Sequence, residues 1–378
     1  AVKVARPVLR GPGRSNALRL PDQLSHGPAA LSASFDEPNL PVSAGLVPAV
    51  RLAQRVGLHD LSEEHVTTGA NPGSKVMCLV AAMAAGADSI DDMDMLRRAG
   101  AGTVFSGVRA PSTLGTFLRG FTFGHVRQLE AVAARTLIRL AQVAPLLPGI
   151  EPTCLIEIDD TVKPVFGPGK QGAQFGYTKV CGLNTQLATF STSESAPVIA
   201  ATRLRRGAAA SSHGAVRMLR DAIVTARRCG AGQNILVRAD SAYCSSAILQ
   251  AISKAGARFR IGIPLNRRVR AATAGIDDAD WVRIEYPWAI PDPQTGELIS
   301  AAEIAEMPFT AFASKPASKQ VSARLIVRRI PERNQTKLQD PLFPAFRYHA
   351  LFTDNPASLV AAESTHRGHA RGHPSPRP

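Results

Sequence analysis

From Leu46 to Pro145 the apolar residues recur at the spacing of a helix face,. "LVPAVRLAQRVGLHDL" puts Leu46, Val50, Ala53 and Val56 or Gly57 on one side. "SKVMCLVAAMAAGA" (Ser74–Ala87) predicts an apolar helix with Ser74 as its cap,. Ser89–Gly100 predicts another, its acids in the first turn where the helix dipole favours them, and "PSTLGTFLRGF" opens one after Pro111,. His125–Pro145 is the clearest: Val126, Leu129, Ala133, Leu137 and Leu140 line one face, with Arg127, Arg135 and Arg139 elsewhere.

After Pro148-Gly149 the period shortens to that of strands. "CLIEIDD", "FGYTKVCGLN" and "TQLATFST" predict three consecutive strands joined by Gly, Pro and Asn turns,. Ser212–Gly232 predicts a helix ended by glycine, Asn234–Ser241 a fourth strand ending in Asp240, "SSAILQAISKAGA" a helix and Arg258–Pro264 a fifth strand. From Asp277 to Asp354 four more strands follow, "WVRIEYP", "FTAFAS", "ARLIVRRI" and "FRYHALFTD", between loops of Pro, Ser and Lys. The pattern therefore predicts a basic, weakly ordered arm over 1–45, a helical region over 46–147, an α/β core over 150–275, a β-rich insertion over 276–356 and a C-terminal segment over 357–378. No internal repeat is visible.

Composition narrows the partners. The 378 residues carry 44 Lys and Arg against 30 Asp and Glu, a formal net charge of +14, which points to a polyanion,. Aromatic residues make up only 5%, which argues against a single-strand stacking platform,. No apolar run is long enough to span a membrane, and the basic N-terminus has no signal-peptide core, so a cytoplasmic protein is expected,. The five cysteines form no C-x-x-C pair and are expected to be reduced core thiols,.

The candidate chemistry lies where strands end in aspartate. The order β-β-β-α-β-α-β puts Asp159 or Asp160 at the end of the first strand and Asp240 at the end of the fourth. If those two strands are neighbours, the carboxylates converge at one edge, where open α/β sheets build their sites. Carboxylates held close repel each other unless a cation lies between them, and hard divalent ions such as Mg²⁺ prefer oxygen ligands. Aspartate at a strand end is also an ordinary turn former.

Beyond these spacings the chain resembles a known family. "IEIDDTVKPVFGPGKQGAQFGYTKVCGLN", "ILVRADSAYCSSAILQAISKAGARF", "MPFTAFAS", "LIVRRI" and "RYHALFTDNPASLVAAESTHRGH" are similar to DDE-type insertion-sequence transposases of the group numbered 1380, over about residues 30 to 369. The resemblance implies an RNase H-like (retroviral-integrase-type) core interrupted by a β-rich insertion, behind an all-helical N-terminal region that binds transposon ends. It implies Mg²⁺, with Mn²⁺ as substitute, as cofactor. Its implied partner is double-stranded DNA at insertion-sequence terminal repeats, bound by a homodimer in the bacterial cytoplasm, at the nucleoid. The family's D-x-T pattern assigns Asp159, with Thr161 two places on, as the first catalytic and metal-binding acid, and leaves Asp160 as a supporting or turn residue. The second acid matches Asp240 in "RADS".

One departure bears on activity. The family's third acid, a Glu, sits on a helix shortly after "THRGH", whereas here Thr365–His369 is followed by "ARGHPSPRP", and no acid follows Glu363. The sequence thus predicts a truncated, frame-shifted copy, defective in cleavage, with an inert DNA-binding remnant as the alternative. Glu363 stands on the wrong side of "THRGH" to replace the missing acid, and Gly368, Gly372 and Pro374 disfavour a helix that could gather His366, His369 and His373 around a metal,. "GPGKQG" (Gly167–Gly172) lacks the phosphate-loop frame and predicts a turn,. "DDMD" (Asp91–Asp94) predicts a helix first turn, and "RLRRG" (Arg203–Gly207) a solvated loop or a phosphate contact,.

Overall fold

The computed structural model describes residues 44–97, 107–167, 169–284, 302–331 and 346–367. The expected N-terminal arm and the segment after Arg367 lie, but for two residues of the arm, outside the described residues. The chain forms two compact units, residues 1–139 and 140–378.

The first unit is helical: α1 (Leu46–Arg55), α2 (Leu58–His65), α3 (Pro72–Ala84), α4 (Pro111–Arg119) and the start of α5 (Phe123–Val143). Gly57 adopts φ 75°, a left-handed turn that ends the first apolar stripe and starts α2,. Ser74 does not cap α3. The helix begins at Pro72, whose fixed φ suits a first turn, and Ser74 is already inside it,. The helix expected from Ser89 is a 3₁₀ turn over Asp91–Arg97, held by Asp92, which accepts from the Ser89 amide and hydroxyl at 3.1 and 2.6 Å. On α5 the buried residues are Val132 and Leu137, with Leu129 packed beside them, and Ala133 faces out. Two apolar clusters result, one around Leu61, Val76, Phe117 and Val132, the other around Ala82, Met93, Leu96 and Leu114.

The second unit is a mixed α/β structure built on one ten-stranded sheet. Its strands are β1 (Cys154–Pro164), β2 (Gln174–Phe175), β3 (Cys181–Ser191), β4 (Val198–Arg206), β5 (Ile235–Ala239), β6 (Arg258–Gly262), β7 (Val282–Ile284), β8 (Ala302–Ala311), β9 (Val321–Pro331) and β10 (Phe346–Thr353). They lie in the order β2-β3-β1-β5-β6-β10-β9-β8-β7, with β4 also on β3. β1 pairs antiparallel with β3 and parallel with β5, and β5 parallel with β6. Strands β7 to β10 extend this sheet, since β10 pairs with β6.

Two of the expected strands prove to be one. β3 runs unbroken from Cys181 to Ser191; of "FGYTK" before it, Phe175 belongs to the two-residue β2 and the rest links β2 to β3. "RLRRG" is no loop: Val198–Arg206 is β4. The β-rich region also starts its second strand earlier, at Ala302 rather than Phe309.

The core follows from alternation. Ile156, Ile158, Ala188, Phe190, Val237, Phe259, Ile261 and Phe352 are buried together on one face,. α6 (Ala215–Arg228) covers the β1–β3–β4 part of the sheet, and α7 (Ser246–Lys254) packs on α6 and β6. α8 (Arg267–Ala274) follows β6. α9 (Leu359–Arg367) lies on the opposite face, where Leu359 and Ala362 meet Ile326 and Leu351. All five cysteines are free, and burial pushes the Cys154 thiol up to about 12. Among the described residues no helix is long and apolar enough to cross a membrane.

Around the start of β3 the backbones of β1, of β2 and of the residue after β4 approach so closely that three glycines have no room for a side chain. A Cβ on Gly176 would strike the Gly207 carbonyl, on Gly182 the Lys163 carbonyl, and on Gly207 the carbonyls of Gly182 and Gln174. Backbone cannot yield as a side-chain tip can. Gly207→Ala should therefore destabilise the protein by about 1–3 kcal/mol, as overpacking does. The urea midpoint measures it; an unchanged midpoint would show that this approach relaxes freely.

Candidate active site

β1 carries its side chains alternately to the two faces. Cys154, Ile156, Ile158 and Asp160 share the face covered by α6; Leu155, Glu157, Asp159 and Thr161 share the other,. β5 runs parallel beside it, with Ile158 opposite Ala239. Asp159 is the next residue of β1, on the face away from Ile158, and Asp240 is the residue that follows Ala239, so the two stand at the same edge where the paired strands end. Neighbouring strands are about 4.8 Å apart. The pleat thus sends Asp160 to the other side of the sheet from Asp159 and leaves Asp159 at the edge where Asp240 follows β5.

Asp160 is held in a polar cradle. One carboxylate oxygen accepts from Arg205 at 2.8 Å and from the Asn184 amide at 2.5 Å; the other accepts from the Ser211 hydroxyl at 2.8 Å and from Tyr243 at 3.3 Å. Arg205 is buried and fully engaged: it also donates to Asn184 Oδ1 at 2.9 Å and to the carbonyls of Ala210 and His213 at 3.1 and 2.6 Å. Burial lowers its affinity for the proton, and the Asp160 charge opposes that. Tyr243, wholly buried, is pushed up by burial.

Asp240 directly follows β5 and caps the short 3₁₀ turn Ser241–Tyr243, accepting from the Ala242 amide at 3.0 Å. Its carboxyl is raised above the usual range, first by desolvation, then by the negative charges of Asp159 and Asp160, with the Ala242 amide pulling the other way. Asp159 accepts from the Asp160 amide at 2.8 Å. The two carboxylates therefore feel each other's charge, a repulsion that a cation between them would relieve.

The same face carries further charges. Arg238, two residues before Asp240, pairs with Glu157 and also donates to the Thr365 carbonyl on α9. Arg260, next to Arg238 in the register, is buried, and its Nε and one terminal nitrogen have no hydrogen-bond partner among the described residues. Burial and the charges of Arg238 and Arg324 bring Arg260 down to about 10.

The remaining candidates have partners or places of their own. Glu363 is buried on α9 and pairs with Arg328 at 2.6 Å. Of the three histidines, only His366 is among the described residues. Asp91–Asp94 form their 3₁₀ turn in the helical unit, with Asp94 bridged to Arg97 at 2.7 Å. In "RLRRG", Arg205 points inward to Asp160 and Arg203 donates to the Gly214 carbonyl at 3.3 Å. Among the described residues no three His, Cys, Asp or Glu side chains gather as a metal group. Sequence reasoning missed the cradle. Its one signal was Asn184 and Gln186 at alternate, inward positions of a strand that also turns Gly182, Ala188 and Phe190 inward.

Comparison with known proteins adds a family. The chain matches the family described as transposase DDE domain group 1 over residues 29–339. No curated protein matches it. Among solved structures it is similar to piggyBac transposase, determined by cryo-EM as a synaptic complex with hairpin DNA. The TM-score is 0.39 at 10% identity, covering 88% of this chain and 67% of that one.

Two outcomes follow from the charges. Arg205→Met leaves Asp160 charged and partly buried without its cation, so it should cost about 3–5 kcal/mol. Asp160→Asn/Arg205→Met should recover part of that loss; a double variant as unstable as the single, by urea unfolding, would contradict the pairing. Asp240 has a raised folded-state pKa, so its ionised form costs stability above that pKa, and the cost disappears as pH falls to the ordinary carboxylate range,. Asp240→Asn should therefore raise the melting temperature at pH 7 and leave it unchanged near the ordinary aspartate pKa of about 3.9. An equal shift at both pH values would exclude a charge effect.

Proposed function

Because the chain belongs to the DDE transposase family, in its group-1 DDE domain, we propose that it acts in DNA transposition as a metal-dependent DNA-cleaving and strand-transferring enzyme. We read the sheet as an RNase H-like core: the order β4-β3-β1-β5-β6, antiparallel up to β1 and parallel beyond it, supports this. What supports the functional reading is that Asp159 lies on β1 one residue past Ile158, that Asp240 directly follows Ala239 of the parallel neighbour β5, and that Asp240 feels the charge of Asp159. The two carboxylates fit a hard divalent ion: they offer oxygen alone, and desolvation together with the charge of Asp159 already raises Asp240,. Asp159 and Asp240 would hold Mg²⁺, or Mn²⁺ in its place. When bound, such ions activate water and stabilise the leaving oxygen of a phosphodiester.

The rest of the work falls to the chain. The Ala242 amide fixes the Asp240 carboxylate by a hydrogen bond, and the Asp160 amide does the same for Asp159. Arg238, tied to Glu157, balances that acid's charge on the face that carries the two aspartates. The excess of Lys and Arg favours duplex DNA as substrate, bound through phosphates,.

A second reading is that this polypeptide binds DNA without cutting it. It is favoured by the site itself, which among the described residues joins two carboxylates and no third. Incubation of an end-labelled insertion-sequence end with Mg²⁺ or Mn²⁺ tells the readings apart. Cleavage should fall at least a hundredfold in Asp159→Asn and in Asp240→Asn, since losing a ligand of this kind costs several kcal/mol. Asp160→Asn should keep cleavage at a temperature where it remains folded. Salt-sensitive binding with no product from the unaltered chain would leave the second reading standing, and loss of cleavage confined to Asp160→Asn would overturn the assignment of Asp159.

A further inference from the structure

The connection from β1 to β3, described over residues 165–167 and 169–180, is an arm of unusual surface. Phe166 is 85% and Phe175 71% exposed, and Tyr177 is fully exposed. Among the described residues only one other aromatic side chain, Phe123, stands out to this extent. Three large rings on one short segment would be a liability unless something covers them. Lys163, Lys170 and Lys179 are exposed among them, and no Asp or Glu occurs from Thr161 to Ser193.

The arm is held firmly although its rings are bare. The Val165 amide donates to the Cys181 carbonyl at 3.2 Å, that of Ala173 to Lys170 at 3.1 Å, that of Lys179 to Gly176 at 3.0 Å, and that of Gly207 to Gly172 at 3.0 Å. Gln174 and Phe175 pair with Gly182 and Cys181. The crowded glycines Gly176, Gly182 and Gly207 lie at its base. The rings therefore project from a preorganised support and lose little entropy on binding.

Position and charge choose the occupant. The arm springs from Pro164, the end of the strand that carries Asp159, five residues earlier. At about 3.3 Å per residue that is some 17 Å, half of the roughly 34 Å turn of duplex DNA. One duplex can span both. A second copy of the chain would bring the same lysines against themselves, whereas bases offer flat rings and phosphates offer the opposite charge. Aromatic rings interleaved with basic side chains are the means by which proteins seize unstacked bases.

We propose that this arm is a strand-opening element: Phe166, Phe175 and Tyr177 stack on bases unpaired beside the cleavage position, while Lys163, Lys170 and Lys179 hold the flanking phosphates. The proposal rests on the reading of the chain as a protein that acts on DNA.

The test uses the full chain with two probes, a short paired duplex and the same duplex with a central unpaired bubble. The unaltered protein should prefer the bubble by about tenfold, the scale of one stacked base. Phe166→Ser/Phe175→Ser/Tyr177→Ser should abolish that preference while affinity for the paired duplex stays within about twofold. Phe175→Tyr/Tyr177→Phe should keep the preference. Lys163→Gln/Lys170→Gln/Lys179→Gln should flatten the salt dependence on both probes, by about 0.9 in the log–log slope for each phosphate no longer neutralised. The rings are exposed, so the variants should melt like the parent. Equal affinity of the parent for both probes, or a preference that survives the triple serine variant, overturns the proposal while leaving DNA binding intact. Failure of the parent to bind either probe removes the DNA reading itself. A triple variant that only shifts the sedimentation of the free protein from dimer to monomer overturns the proposal in favour of an interface between copies.

Discussion

The ion pair between Asp160 and Arg205 decides what β1 can do. Two adjacent aspartates cannot share a face of a strand, so one of them must go inward. An inward carboxylate is stable only with a cation and donors around it. Arg205, Asn184, Ser211 and Tyr243 supply them from four different segments. With Asp160 taken into that cradle, Asp159 is left on the opposite face, at the edge where Asp240 follows β5. A slip of one residue would exchange the two and leave Arg205 facing the wrong side of the strand.

The sheet carries that choice outward. β5 is buried on both faces and lies parallel to β1, so the carboxyl ends of both strands open at the same edge. α9 crosses the site's own face further along, anchored through Ala362 and through the Thr365 carbonyl to Arg238. Arg238 thereby links the strand of Asp240 to the C-terminal helix, and its tie to Glu157 balances it. Arg260 beside it has no such balance, which makes this face more electropositive inside than its pair of aspartates suggests.

Much of this was legible in the residues. β1, β5 and β6 show as short apolar runs ending at Asp, Asp and Pro, and the helical unit shows by its period. The convergence of the first and fourth predicted strands needed only their adjacency. The rest depended on tertiary partners. "RLRRG" looks like a loop because four of its five residues suit solvent or a turn; only the acid across two strands explains why Arg205 points in. "FGYTK" looks like a strand because its rings have strand propensity, yet here they face water,. On α5 the buried residue is Val132 and not Ala133, a rotation that the neighbouring helices set. The pleat that separates Asp159 from Asp160 was expected; the cradle that enforces it came from positions 24 and 45 residues away.

The glycines at the base of the projecting arm divide that segment into two kinds of position. Where backbone meets backbone at Gly176, Gly182 and Gly207, any mutation is a structural event. At the tip, where Phe166, Lys170 and Tyr177 touch little of the protein itself, a mutation changes only what is presented. Selection can therefore rewrite the tip freely, trading rings for other groups as the partner drifts, while the distance from the tip to the two aspartates is inherited unchanged.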